Sequence, residues 1–178
     1  MQYGVYGPFP IPAGRPRFIE KRARDDVFDQ AESACRGLSQ AHGCYIFSMR
    51  AGRGYRPWYV GKACGKGGFR GECFQAHKLQ HYNSVVTKTR RGTPVLHLIA
   101  RSTRSGKLSF RNAGQEIEWL ERMLIGLALR ENPELLNRKD TKYLKDLVVP
   151  GILGRPGKPG SFNGATDTLR VSLGLRGG

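Results

Sequence analysis

What this chain lacks narrows its class before any motif is read. Its four cysteines, at 35, 44, 64 and 73, form no Cys-x-x-Cys pair, and that spacing argues against a zinc ribbon. The cysteine pattern fits reduced thiols in the cytoplasm better than a Cys64–Cys73 disulfide. No apolar run reaches the roughly 18 residues a spanning helix needs. Residues 1–12 lack the basic start and apolar stretch of a secretory signal. Neither membrane insertion nor secretion is expected. The glycine-rich run 61–68 has no Gly-Lys-Ser/Thr at phosphate-loop spacing. It reads equally as a flexible turn or as backbone lying close to a phosphate, with Lys62 and Lys66 as its positive points. There is no internal repeat and no separate DNA-reading module.

Negative charge is the scarcest feature. Lys and Arg number 30 against 14 acidic residues, a net charge of +16 in 178 residues. Between positions 73 and 115 there are eight basic residues and no acidic one, a bias that favours a phosphate-tracking surface over an ordinary solvated face. Such an excess implies a polyanionic partner, because neutralising phosphates releases condensed counterions. A nucleic acid is the first expectation. Charge alone does not separate DNA from RNA.

The length fits one core with extensions. Gly and Pro in residues 1–17 read as an irregular arm, and residues 18–39 as a helix. Together residues 1–40 form an N-terminal arm and helix before a core at 41–140. Tyr45-Ile46-Phe47 and Trp58-Tyr59-Val60 read as a hairpin joined by a long basic loop carrying Arg50, Arg53 and Arg56. A helix over 69–82, a strand over 95–100, a basic turn over 101–111 and a helix over 115–130 complete the core. Residues 141–178 are a Pro/Gly-rich extension with a short strand at 169–175.

Three groups of residues invite chemistry. On the helix from Gln115, about 100° per residue puts Ile117, Leu120, Leu124 and Ala128 on one stripe, with Glu121 inside it. A carboxylate there costs several kcal/mol, on the order of a lost ion pair, unless it is paired or binds a metal. On the predicted helix from Phe69, Arg70, Phe74, His77 and His81 share one face. Arginine suits bidentate phosphate binding, and histidine trades protons near neutral pH. Tyr45 and Tyr59, fourteen positions apart on adjacent strands, read as core residues individually and as part of a site only in this company.

With these residues in place, Gly43-Cys44-Tyr45 and Tyr59-Val60-Gly61 resemble the two eponymous motifs of the GIY-YIG nucleases. Arg70 matches the arginine of the following helix. Glu121 matches the family glutamate, and the turn from Asn132 to Asn137 matches the Pro-containing turn that ends in asparagine. The resemblance spans about half of the chain, roughly residues 43–137. It implies an α+β fold: a small three-stranded antiparallel sheet flanked by helices. It implies hydrolysis of DNA phosphodiesters with Mg2+ or Mn2+. On the same resemblance Glu121 holds the metal, Arg70 stabilises the transition state, Tyr45 activates water and Tyr59 positions it. Phe74 stands where several members have a histidine, so His77 is the replacement, with His81 the other histidine on that face. Asn137 supports the site, with Asn132 the alternative. Lys62, Lys66, Arg90, Arg91, Arg101 and Arg104 are the candidate contacts to nucleic acid. A homodimer would allow both strands to be cut. The competing expectation is a noncatalytic nucleic-acid-binding protein that keeps the fold and the basic surface.

Overall fold

The computed structural model describes residues 2–14, 17–89, 91–111, 113–137 and 164–173. The chain divides into two compact units, residues 1–136 and 137–178. Unit one is α+β, with its elements in the order β1 (Gln2–Pro10), α1 (Ala23–Ala34), β2 (Gly43–Ala51), β3 (Gly54–Ala63), α2 (Gly68–Glu72), α3 (Ala76–Lys88), β4 (Thr93–Ser102) and α4 (Gly114–Glu131). In unit two, α5 spans Gly164–Ser172. Among the described residues no helix is long and apolar enough to cross a membrane.

The sheet has four strands, not three, in the order β1-β4-β2-β3, and its pairings are all antiparallel. The extra strand is the N-terminal arm. Its Gly and Pro content argued against a strand, but β1 is an edge, where prolines need not donate to a ladder. The pairing of β1 with β4 shifts between Tyr6 and Phe9, beside Gly7 and Pro8. The β2–β3 loop is also shorter than the sequence implied. Ala51 pairs directly with Gly54, leaving a two-residue turn of Gly52 and Arg53. Gly52 has φ +57° there, as tight hairpin turns demand. Arg50 and Arg56 therefore belong to strands.

Strand alternation sorts the core. Tyr45, Phe47, Met49, Leu96 and Leu98 lie with α1 and Tyr82 of α3 in the larger cluster. On the other face Val60 and Ile46 meet Ile125, Ala128 and Leu124 of α4. The α1 stripe is Ala23, Val27, Phe28 and Ala31, and Asp25 and Asp26 in its first turn complement the helix dipole.

The helix predicted over 69–82 is two helices. It breaks at Cys73–Gln75, where Gln75 is extended. The Cys73 carbonyl accepts the Tyr82 hydroxyl at 2.9 Å, so a side chain replaces the amide that a continuous helix would offer. Of residues 169–175, read as a strand, 169–172 are the end of α5 and 174–175 lie outside the described residues.

One close approach controls the hairpin. Gly61 lies opposite Tyr45, and any Cβ on Gly61 would overlap the Tyr45 ring carbon and hydroxyl. Tyr45 is fully buried and has no room to yield. Gly61→Ala is expected to destabilise the fold by about 1–3 kcal/mol, the usual range for overpacking. Gly71→Ala, where an added Cβ meets nothing within 4 Å, is expected to be neutral or to stabilise by up to about 1 kcal/mol. Denaturant titration of both variants checks this; equal stability of the two would contradict the Tyr45–Gly61 fit.

Candidate functional site

The hairpin brings Tyr45 and Tyr59 together, with ring centroids 6.2 Å apart. Tyr59 then stacks on His81 of α3 at 5.7 Å and 20°, and meets the edge of Tyr82 at 6.2 Å. The histidine beside the tyrosines is thus His81. His77 is exposed, and the helix break separates both histidines from Arg70. Phe74 is buried and packs edge-on against Phe28 and Tyr82. The single face predicted for Arg70, Phe74, His77 and His81 does not exist.

Arg70 is occupied elsewhere. Its guanidinium reaches the Asp25 carboxylate at 2.6 Å and lies 5.8 Å over the Phe28 ring, clamping α2 to α1. A cation that does reach the tyrosine pair is Lys78, whose Nζ lies 5.3 Å over the Tyr45 ring and 3.0 Å from Glu72 Oε2. Its side chain is only 7% exposed. The sequence held a signal for it. Lys78, Tyr82, Val85 and Val86 form the buried stripe of α3, so a charge inside an apolar stripe marks Lys78 by the same reasoning that marked Glu121.

Across the outer edge of β3, α4 presents its carboxylates. Lys62 Nζ is 3.5 Å from Glu118 Oε1 and 3.6 Å from Glu121 Oε2. The Glu121 side chain is 19% exposed, in keeping with its place on the core-facing stripe. Its charge reaches Tyr59: burial first, and then Glu121, push the Tyr59 phenol above its ordinary pKa. Burial and then Glu121 push the Cys44 thiol up as well. All four cysteines are free, and Cys44 and Cys73 are buried.

Tyr45 departs from the expected role of a base. Burial, then neighbouring Tyr82, hold its pKa well above the ordinary phenol value. Its hydroxyl is close enough to influence Tyr59 and Tyr82, yet its geometry completes no hydrogen bond among the described residues. A phenol in this state keeps its proton at neutral pH.

For a divalent cation, Glu121 supplies one hard oxygen donor. Among the described residues no group of three or more His, Cys, Asp or Glu side chains gathers into a cage.

Asn132 is fully buried and ties the end of α4 to β3. Its Nδ2 donates to Pro57 O at 2.7 Å, and its Oδ1 accepts from Arg56 at 2.8 Å and from the Glu134 amide at 3.0 Å. Asn137 begins the second unit and is half-buried. Of the candidate nucleic-acid contacts, Lys66, Arg91 and Arg104 are exposed. Arg101 is bound internally, to Glu116 at 3.2 Å and Ser109 at 2.7 Å. Arg90 lies outside the described residues.

Alkaline pH tests the buried phenols. Tyr45, Tyr59 and Tyr82 all have raised pKa values, each chiefly through burial. The unfolded chain therefore releases these protons first, near the ordinary value of about 10. Their contribution is fully present below that pH and is lost as pH rises through the folded values. Chemical denaturation at stepped pH should show stability falling above about pH 10, less steeply in Tyr82→Phe. Separately, Asp25→Asn, which also loses the Arg24 pair at 3.2 Å, and Arg70→Ala, which also loses the contact over Phe28, should each lower stability in denaturant titration.

No protein-family model, curated protein or solved structure matches this chain.

Proposed function

We propose that the chain is a metal-dependent endonuclease that hydrolyses DNA phosphodiesters at the outer edge of β3. The carrying observation is the Glu121 carboxylate at the rim of that edge, 3.6 Å from Lys62 Nζ and near enough to raise the Tyr59 pKa. A carboxylate, an ammonium beside it and a phenol that feels its charge suit a phosphate brought to this edge. The resemblance to GIY-YIG nucleases and the net charge of +16 support the same reading.

In this reading Glu121 holds Mg2+ or Mn2+. The cation, when bound, supplies positive charge to the scissile phosphate. Lys62 leaves its carboxylate partners to contact a phosphate oxygen. Tyr59, stacked on His81, orients the attacking water, and His81 takes its proton, since imidazole exchanges protons near neutral pH. Tyr45 stays protonated and acts through its ring, which holds the hairpin and supports Tyr59. Lys78 and Glu72 fix that ring from the α3 side. Exposed Lys66, Arg91 and Arg104 contact the backbone of the nucleic acid and position it without reading sequence.

The noncatalytic alternative has its own support. Arg70 and Lys62 are both paired with carboxylates of this chain, as suits a binding protein whose charges serve the fold.

Supercoiled plasmid incubated with the protein and Mg2+ or Mn2+ separates the two. Nicking should appear, vanish with a chelator, and fall by about 100-fold or more in Glu121→Gln, while salt-sensitive DNA binding remains. His81→Ala should slow cleavage by at least about 100-fold, the low end for a proton-transfer group, and His77→Ala should leave it unchanged. Binding without cleavage under every metal condition would favour the noncatalytic reading.

A further inference from the structure

Three segments meet at the end of the sheet where β4 finishes. They run from Arg36 to His42, from Cys64 to Gly68 and from Thr103 to Arg111. His42 Nε2 lies 3.2 Å from Gly65 O, and the Phe69 amide donates to Ala41 O at 3.2 Å, so the first two are joined. The third meets the first at Gly37, where an added Cβ would lie 3.2 Å from Phe110 Cζ. The third segment is also bonded within itself. Ser102 bridges Leu108, the Thr103 amide donates to Lys107 O at 2.8 Å, and Gly106 turns the chain with φ +81°.

This end of the sheet is cationic, and its carboxylates are engaged with other groups. Arg36, Lys66, Arg104, Lys107 and Arg111 are exposed, and none forms an ion pair among the described residues. Glu32, four positions before Arg36, accepts from the amides of Gly37 and Ser39. Glu116 holds Arg101, and Glu72 holds Lys78. Phe110 sits beside the cations, next to Arg111 in the chain and with its ring tip against Gly37, yet it is 55% exposed. A single exposed phenylalanine is ordinary. Its company here is not. Cations without carboxylate partners suit phosphates, and an aromatic ring beside them offers a stacking surface that any base can use. Bases in a duplex already stack on one another, so ring and cations together fit an unpaired strand.

We propose that this end of the sheet binds single-stranded nucleic acid, with one base stacked on Phe110 and the phosphates held by Arg36, Lys66, Arg104, Lys107 and Arg111. Such binding rests on the nucleic-acid partner of the proposed function and not on cleavage. Lys66 follows Lys62 of β3 by four residues, so this surface adjoins the proposed cleavage site.

The test is fluorescence anisotropy of the full chain with labelled oligo-dT, oligo-U and a DNA duplex of the same length, in chelator so that nothing is cut. Circular dichroism checks that each variant folds. Phe110→Ala should weaken binding of the single strands by about fivefold or more and leave duplex binding nearly unchanged. Phe110→Leu, which keeps an apolar side chain over Gly37 but no ring, should behave like Phe110→Ala, and Phe110→Trp should bind as wild type does. Arg104→Ala and Lys107→Ala should each lower the salt slope for the single strands by about 0.7. The tighter of oligo-dT and oligo-U tells DNA from RNA. Single-strand affinity unchanged in both Phe110→Ala and Phe110→Leu overturns the proposal, and plasmid nicking in the same preparation would leave the nuclease reading standing. An equal loss on strand and duplex overturns it as well, because Phe110 would then serve the fold. Binding to phosphatidylserine vesicles with none to the oligonucleotides does the same. A loss confined to the single strands supports it even where no nicking occurs.

Discussion

The Tyr45 ring lies against Gly61 across the β2–β3 ladder, and much of the molecule follows from that contact. Because Gly61 has no side chain, a fully buried tyrosine fits where two strands run side by side. The ring then has Tyr59 on one flank and the Lys78 ammonium above it. Lys78 in turn holds Glu72, joining α3 to α2 across the break at Cys73–Gln75. Tyr82 fills the remaining side, stacked on Phe47 at 4.2 Å and bonded to the Cys73 carbonyl. One glycine thus governs the seating of two helices against the sheet.

The charge arrangement divides by burial. Lys78 is enclosed with a carboxylate partner, so its charge serves the packing around the tyrosines; a buried ammonium without such a partner would be costly. Lys62, Glu118 and Glu121 sit at a rim, where solvent screens their attraction and little stability is at stake. In the proposed function Lys62 exchanges these partners for a phosphate oxygen. Beside β3, Lys62, Glu118 and Glu121 form one cluster of opposite charges in unit one.

The chain showed its hairpin strands, its last core helix and the special position of Glu121 in one dimension, because each depends on local spacing. Residues 43–51 and 54–63 each carry a short apolar run, and the α4 stripe repeats at helical period. Other features depended on partners distant in sequence. Residues 2–10 look irregular until β4 offers them an edge to pair with. Residues 69–82 have a continuous helical pattern, and the break comes from the Tyr82 hydroxyl capturing the Cys73 carbonyl. Arg70 looks like a phosphate ligand until Asp25, forty-five positions earlier, takes its guanidinium.

Composition and periodicity by themselves determined the basic character of the chain, the hairpin and the placement of one carboxylate on the core-facing stripe of a helix. These are properties of neighbouring residues, and short-range geometry suffices for them. Only the tertiary structure decided which cation meets the tyrosines, which histidine stacks on Tyr59, and which asparagine, Asn132, ties α4 to β3. Those choices compare side chains whose sequence separations run to tens of residues. They are made by the space left once helices and sheet have packed: His81 and Lys78 point into it, while His77 and Arg70 lie outside it.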